Sequence, residues 1–405
     1  MRHRRRLAAG LAVALCVLTG CTAGDPAAGP PVVAAPTADA PRGPGPLTTL
    51  LGAVDLSPAV PGVPTTAAAA VGAPDGGAFV LLSPPDPAVP HYLATVARTG
   101  SGYAVTGSVP VPRLRPIWDL HALADGTALV SGQFRGEEPG YGFLSVDPAG
   151  GEVRATVVIP FEDGTDLAFG SSVLSPDGET VTLFLSSFVD GRRLDLLMSA
   201  ATSDGRILGG RDLFEEVRAV SESGIGPWST WLFARPDGGV TVVFDAYPPG
   251  AGILGVPTAV RYDELLEPVG GPVALTREAA SAQLRAVAGA PDGTVFARVE
   301  AQARNWLLAL APRGSSGTQL LDLGGQDADD AIVVDPALGW VLLPAAGGAR
   351  AVDLATGGST PVDLGCPVEV TQLLPGRGAA SALILGRCST PDGGHPTLWV
   401  LAAAQ

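Results

Sequence analysis

Leu174-Ser175-Pro176-Asp177-Gly178-Glu179, followed by the apolar alternating run from Thr180 to Leu185, is the stretch on which the fold is read. Proline sets φ at the first corner of a turn, aspartate accepts from nearby backbone N–H groups, and glycine takes the positive φ that closes a hairpin. The turn recurs as Pro74-Asp75-Gly76, Ala124-Asp125-Gly126, Pro236-Asp237-Gly238 and Pro291-Asp292-Gly293, with looser forms at Asp335-Pro336 and Pro375-Gly376. Its spacing of roughly 40 to 60 residues is what one four-stranded blade with its loops occupies. A further copy, Pro391-Asp392-Gly393, falls out of phase and reads as the next hairpin of the last repeat.

Around each turn the pattern is strand throughout: short Val- and Leu-rich runs broken by Gly and Pro. An inner strand leads into the turn (Ser172 to Ser175, Trp231 to Ala234) and a second leaves it (Thr180 to Leu185, Gly239 to Phe244). Two outer strands follow, as in Leu93 to Ala97 with Tyr103 to Val109, or Trp306 to Leu310 with Gln319 to Leu323. The expectation is an all-β chain: a single β-propeller of seven blades, each of four antiparallel strands. A two-sheet sandwich array would give the same strands without so steady a period. Residues 47–56 resemble the outermost strands elsewhere, and Thr397 to Leu401 fits only a third strand, so the N-terminal segment is expected to complete the last blade and close the ring. Closure removes an open sheet edge that would invite aggregation.

Before the blades come Arg2, Arg4, Arg5 and Arg6, then an apolar run over 7–18 that is too short for a membrane span and reads as a signal peptide. It ends in Leu18-Thr19-Gly20-Cys21, which resembles the lipobox of bacterial lipoproteins. The resemblance implies removal of residues 1–20 and acylation of Cys21, with attachment to the outer face of the cytoplasmic membrane. The alternative is ordinary secretion with Cys21 incidental. Residues 21–46, rich in Pro, Ala and Gly, bury too little apolar area to repay ordering and read as a tether. The propeller then occupies 47–405.

The net charge of −15 argues against nucleic acid or an anionic lipid surface as partner, and 46% apolar residues are ample for a core. The chain contains no Lys and a single Asn, Asn305, which suits a GC-rich genome. It also excludes Schiff-base, phosphate-loop and Ser-Lys chemistry. With Cys16 in the signal and Cys21 lipidated, Cys366 and Cys388 remain as a pair. They lie almost equally far either side of a hairpin turning near Gly376-Arg377, which favours a disulfide; two buried free thiols are the alternative.

The segment Leu174 to Glu179 is similar to the repeat of TolB-like and related WD-repeat-like propellers, and weaker copies extend over most of 47–403. The resemblance implies the fold and an extracytoplasmic setting, not an activity. No N-terminal α/β domain of the TolB kind precedes the blades, and the chain looks more like the propeller lipoproteins of actinobacteria.

Propellers bind at the face formed by the loops leading into the innermost strands and those joining second to third strands. The first set carries Glu162, Asp163, Asp166, Glu215, Glu216, Glu278, Asp327, Asp329, Asp330 and Glu369. If these converge, the mouth of the channel could hold Ca2+, with Asp327, Asp329 and Asp330 as the metal candidates, or a cationic partner; a solvated rim is the alternative. The second set carries Phe134, Arg135, Tyr141, Arg192, Arg193, Tyr247, Arg304 and Trp306, aromatics beside arginines of the kind that anchor interfaces. Trp118, Trp228, Trp231 and Trp340 sit beside strands and read as packing between blades. His121, after Trp118-Asp119-Leu120 in an inner strand, reads as a hydrogen-bonded structural histidine. No nucleophile elbow or zinc spacing is present. No catalytic residue and no cofactor other than Ca2+ is therefore assigned. The function expected is a monomeric, non-catalytic binding or scaffold protein with a protein or cell-envelope ligand. The alternatives are a propeller hydrolase or lactonase, or a cation-dependent sensor, using acidic residues of the channel.

Overall fold

The computed structural model describes residues 45–100, 102–112, 114, 116–134, 139–160, 169–189, 192–213, 230–246, 255–276, 282–301, 304–324, 331–335, 339–377, 382–391 and 393–404. They form seven four-stranded antiparallel sheets. The innermost strands of blades 1 to 7 are Thr66–Gly72, Ile117–Ala122, Phe169–Leu174, Thr230–Ala234, Ala282–Gly289, Val333–Asp335 and Val368–Pro375. Each packs beside its neighbours in turn, and the last lies against the first, so the ring is closed. Blade 7 is completed by Gly45–Asp55, which pairs with the third strand, Gly393–Ala404, through Val54 opposite Leu398 and Asp55 opposite Thr397.

The recurrent turn is built as its chemistry requires. Gly76, Gly126, Gly178, Gly238 and Gly293 take φ between 79° and 89°. Each donates its N–H to the carbonyl three residues back, at 2.9–3.2 Å. The aspartate Oδ1 accepts the N–H two residues ahead, at 2.9–3.3 Å, in all five turns. An L-side chain at the glycine would strain the hairpin, which is why this position is legible in the sequence.

The cores lie between blades, not inside them. Leu383, Leu385, Leu398 and Val400 of blade 7 pack with Ala78, Val80, Leu82 and Val96 of blade 1, joined by Val54, Leu56 and Val60. Ring closure is thus apolar as well as hydrogen-bonded. The Cys366–Cys388 disulfide, with Cα atoms 5.9 Å apart, ties the approach to the innermost strand of blade 7 to its second strand. Both cysteines pack against the core shared with blade 6. A cross-link closing a loop of this length contributes about 3 kcal/mol by restricting the unfolded chain.

The interface between blades 2 and 3 differs. Among the described residues its apolar packing divides into two small clusters, one of them centred on Tyr141 and Leu185. Polar side chains occupy the space between.

Candidate functional site

Those polar groups come from the innermost strands of blades 2 and 3. A register shift between Ile117 and Leu120 sets Trp118 and Asp119 together opposite one residue, Ser131, of the second strand. Such a bulge re-aims side chains. The Asp119 carboxylate accepts from the Ser172 backbone N–H at 2.6 Å and from its hydroxyl at 3.4 Å. Ser172 Oγ also lies 2.7 Å from His121 Nε2 and 2.7 Å from Ser131 Oγ. Ser131 Oγ in turn accepts from the Asp119 N–H at 3.1 Å. Trp118 lies across blade 3 directly over Gly170, where a Cβ would meet its ring at 2.5 Å, and stacks on Tyr141 with centroids 5.6 Å apart.

Burial governs the titration here. It raises the Asp119 carboxyl to about 6 against the pull of the two Ser172 hydrogen bonds, and it lowers His121 to about 4. At neutral pH the imidazole is uncharged. The order of contacts is histidine to serine to aspartate: Asp119 touches Ser172, not the imidazole. A serine hydrolase requires the carboxylate behind the histidine, orienting it and stabilising its charged form. The geometry therefore joins two blades, and among the described residues no carboxylate is hydrogen-bonded to the His121 imidazole.

The same device recurs elsewhere. Asp245, on the second strand of blade 4 (Val240–Ala246), accepts the Leu284 N–H of blade 5's innermost strand at 3.2 and 3.3 Å. Burial raises its carboxyl to about 7, opposed by the Leu284 hydrogen bond and the Arg285 charge. Gln372 Oε1 of blade 7 accepts the Ala70 N–H of blade 1 at 3.1 Å. A side-chain acceptor on one blade capturing an inner-strand amide of the next is thus a repeated joint.

The sequence-derived binding candidates are dispersed. Phe134 and Tyr141 are only 8% and 5% exposed, belong to interblade packing, and so form no exposed anchor. Both lie on strands covered on each face by neighbouring blades, so their place near a loop in the sequence is no guide to exposure. Arg304 and Trp306 stand together at the top of blade 5: the guanidinium lies 5.8 Å from the Trp306 ring centroid and 3.4 Å from Asp322. Arg192 and Arg193 open the third strand of blade 3, opposite Val189 and Phe188. Arg135, Tyr247, the metal candidates Asp327, Asp329 and Asp330, and Cys21 lie outside the described residues. Glu369, on the innermost strand of blade 7, is exposed. Among the described residues no group of three or more His, Cys, Asp or Glu is placed to hold a metal ion.

On the turn face a groove of about 490 Å3 runs between blades 2 and 3, lined among others by Asp125, Asp147, Glu152, Asp177, Glu179 and Arg154. Asp125, Asp147 and Asp177 are engaged in capping turn amides. Arg154 is bound to the Ser203 carbonyl across the groove.

No protein-family model matches the chain, and no curated protein matches it. Solved structures do. Puromycin hydrolase superposes with a TM-score of 0.58 at 14% identity, over 88% of this chain and 54% of that one, so the chain spans about half the length of that enzyme. The Cps50 (Swd1) β-propeller domain of Myceliophteria thermophila gives 0.52 at 10% identity, over 83% of this chain and 96% of that domain. TolB from Acinetobacter baumannii gives 0.36 at 14% identity over 64% of this chain, too loose a superposition to carry weight. At these identities the likeness is one of fold: the chain is a seven-bladed β-propeller.

Proposed function

We propose that this propeller is a non-catalytic binding or scaffold protein, held by a lipid on Cys21 at the outer face of the cytoplasmic membrane, with a protein or cell-envelope ligand on its loop face. The observation that carries the reading is the use of Ser172, His121 and Asp119 as a joint between blades 2 and 3. The Ser172 hydroxyl meets His121 Nε2 and Ser131 Oγ, and the Ser172 backbone N–H donates to the Asp119 carboxylate, so these groups are engaged in holding the two blades together. The Arg304–Trp306 pair, an arginine over an aromatic at the loop end of blade 5, is the kind of anchor a protein partner uses. The chain superposes both on the β-propeller domain of Cps50 and on puromycin hydrolase, an enzyme, so fold alone does not decide whether a propeller of this kind is catalytic.

The test is labelling of the purified protein with a fluorophosphonate probe, beside a panel of esters, amides and lactones. The expected result is no labelling and no turnover, with Ser172→Ala lowering stability; covalent labelling at Ser172 overturns the reading. For the anchor, the wild-type protein is expected to partition into the detergent phase and Cys21→Ser into the aqueous phase. Identical partitioning of the two removes the lipid from the proposal.

A further inference from the structure

Two arginines are buried together where the turn ends of blades 4 and 5 meet. Arg235 follows the innermost strand of blade 4 and is 6% exposed; Arg261, on its third strand (Val256–Tyr262), is 8% exposed. Both project from the blade face that packs on blade 5. Phe233 and Ala259, at positions of the same parity, belong to that interface, and Phe233, Thr241 and Arg261 lie in register across the sheet. Guanidinium groups remain charged in proteins, so burying two side by side demands compensation.

Compensation from the protein is incomplete. Arg261 Nη2 donates to two carbonyls of blade 5, those of Ala311 at 3.1 Å and Gly314 at 2.8 Å. Neither carries a formal charge. Arg235 Nη2 meets the Asp237 carboxylate at 2.5 Å, but that side chain is 56% exposed on the turn and its charge is screened by water. Arg235 Nη1 is buried and has no hydrogen-bond partner among the described residues. Burial, and then the neighbouring charge of Arg235, lower the pKa of Arg261, as expected of two like charges buried near each other. The nearby Glu264 is exposed on the turn beside Gly238, and among the described residues it forms no ion pair with either arginine.

We propose that a small monovalent anion of the halide class binds between the turn ends of blades 4 and 5, held by Arg235 Nη1 beside Arg261. One ion there satisfies the orphaned N–H and neutralises the excess of two guanidinium groups over one carboxylate. It acts as a further joint between blades, supplied by the solvent.

The purified full-length chain is melted in sodium chloride, sodium bromide and sodium gluconate at equal ionic strength, with the wild type beside Arg235→Gln. Chloride and bromide are expected to raise the wild-type Tm saturably, by on the order of 2 °C over gluconate, and to leave Arg235→Gln unshifted. Chlorine-35 NMR of the wild type gives a second reading that does not depend on the variant folding: line broadening is expected, relieved by bromide. Equal melting in the three salts without broadening overturns the proposal. So does a halide shift of the same size in Arg235→Gln.

Discussion

Asp245→Asn isolates the electrostatic cost of a blade joint. The Asp245 carboxyl is 2% exposed, and burial holds it near 7 against an ordinary 3.8. Because the folded pKa is raised, the folded protein binds its proton more tightly than the unfolded chain does. Stability from this group is therefore greatest below pH 4, falls as pH rises from about 4 to 7, and levels off above that. At about 1.4 kcal/mol per pH unit the loss across the window is roughly 4 kcal/mol. Asparagine keeps an oxygen for the Leu284 N–H and carries no charge, so it removes the slope. It also forgoes the attraction of Arg285, which keeps its ion pair with Glu300 at 2.5 Å. Urea unfolding of both proteins at half-unit steps from pH 4 to 8 yields a difference in which the other carboxylates cancel. The variant is expected to gain on the wild type as pH rises, by about 3–4 kcal/mol in total. A flat difference, or one that grows toward low pH, refutes the reasoning.

His121 and Asp119 oppose each other. His121, lowered to about 4, contributes stability that is present above pH 6.5 and lost as pH falls toward 4; Asp119, raised to about 6, contributes the reverse between about 4 and 6. His121→Gln is expected to leave the protein less acid-sensitive over that window, measured as Tm against pH, and an unchanged profile contradicts the assignment. Gly170→Ala places a methyl against the rigid Trp118 ring and is expected to cost about 1–3 kcal/mol in urea unfolding. Replacing both Cys366 and Cys388 by Ser is expected to cost about 3 kcal/mol, with the loss absent when the wild type is compared under reducing conditions.

The turn was legible because its requirements are local: an aspartate reaches two residues ahead and a glycine takes positive φ, so the chemistry is written in adjacent letters. Ring closure was legible for a similar reason, since residues 47–56 repeat the outer-strand pattern. The joints were not. Asp119 meets Ser172 from 53 residues away and Asp245 meets Leu284 across 39, distances over which spacing alone carries no sign of contact. Burial was also hidden on the middle strands. Ala128–Phe134, Val240–Ala246 and Val256–Tyr262 are buried at every position, because blades cover both faces. Alternation therefore distinguishes neither side, and Phe134 at a strand end resembles a loop aromatic. The buried Arg235 and Arg261 gave no signal at all, being ordinary surface residue types.

The most direct measurement is site-specific photocrosslinking in intact cells. A photoreactive residue is placed in turn at Arg192, Arg193 and Arg304 on the loop side, and at Asp75, Asp125 and Asp292 on the turn side. A non-catalytic binding propeller predicts a discrete crosslinked partner from the loop positions and none from the turns. Crosslinks distributed equally over both faces, or absent from the loop positions, contradict it.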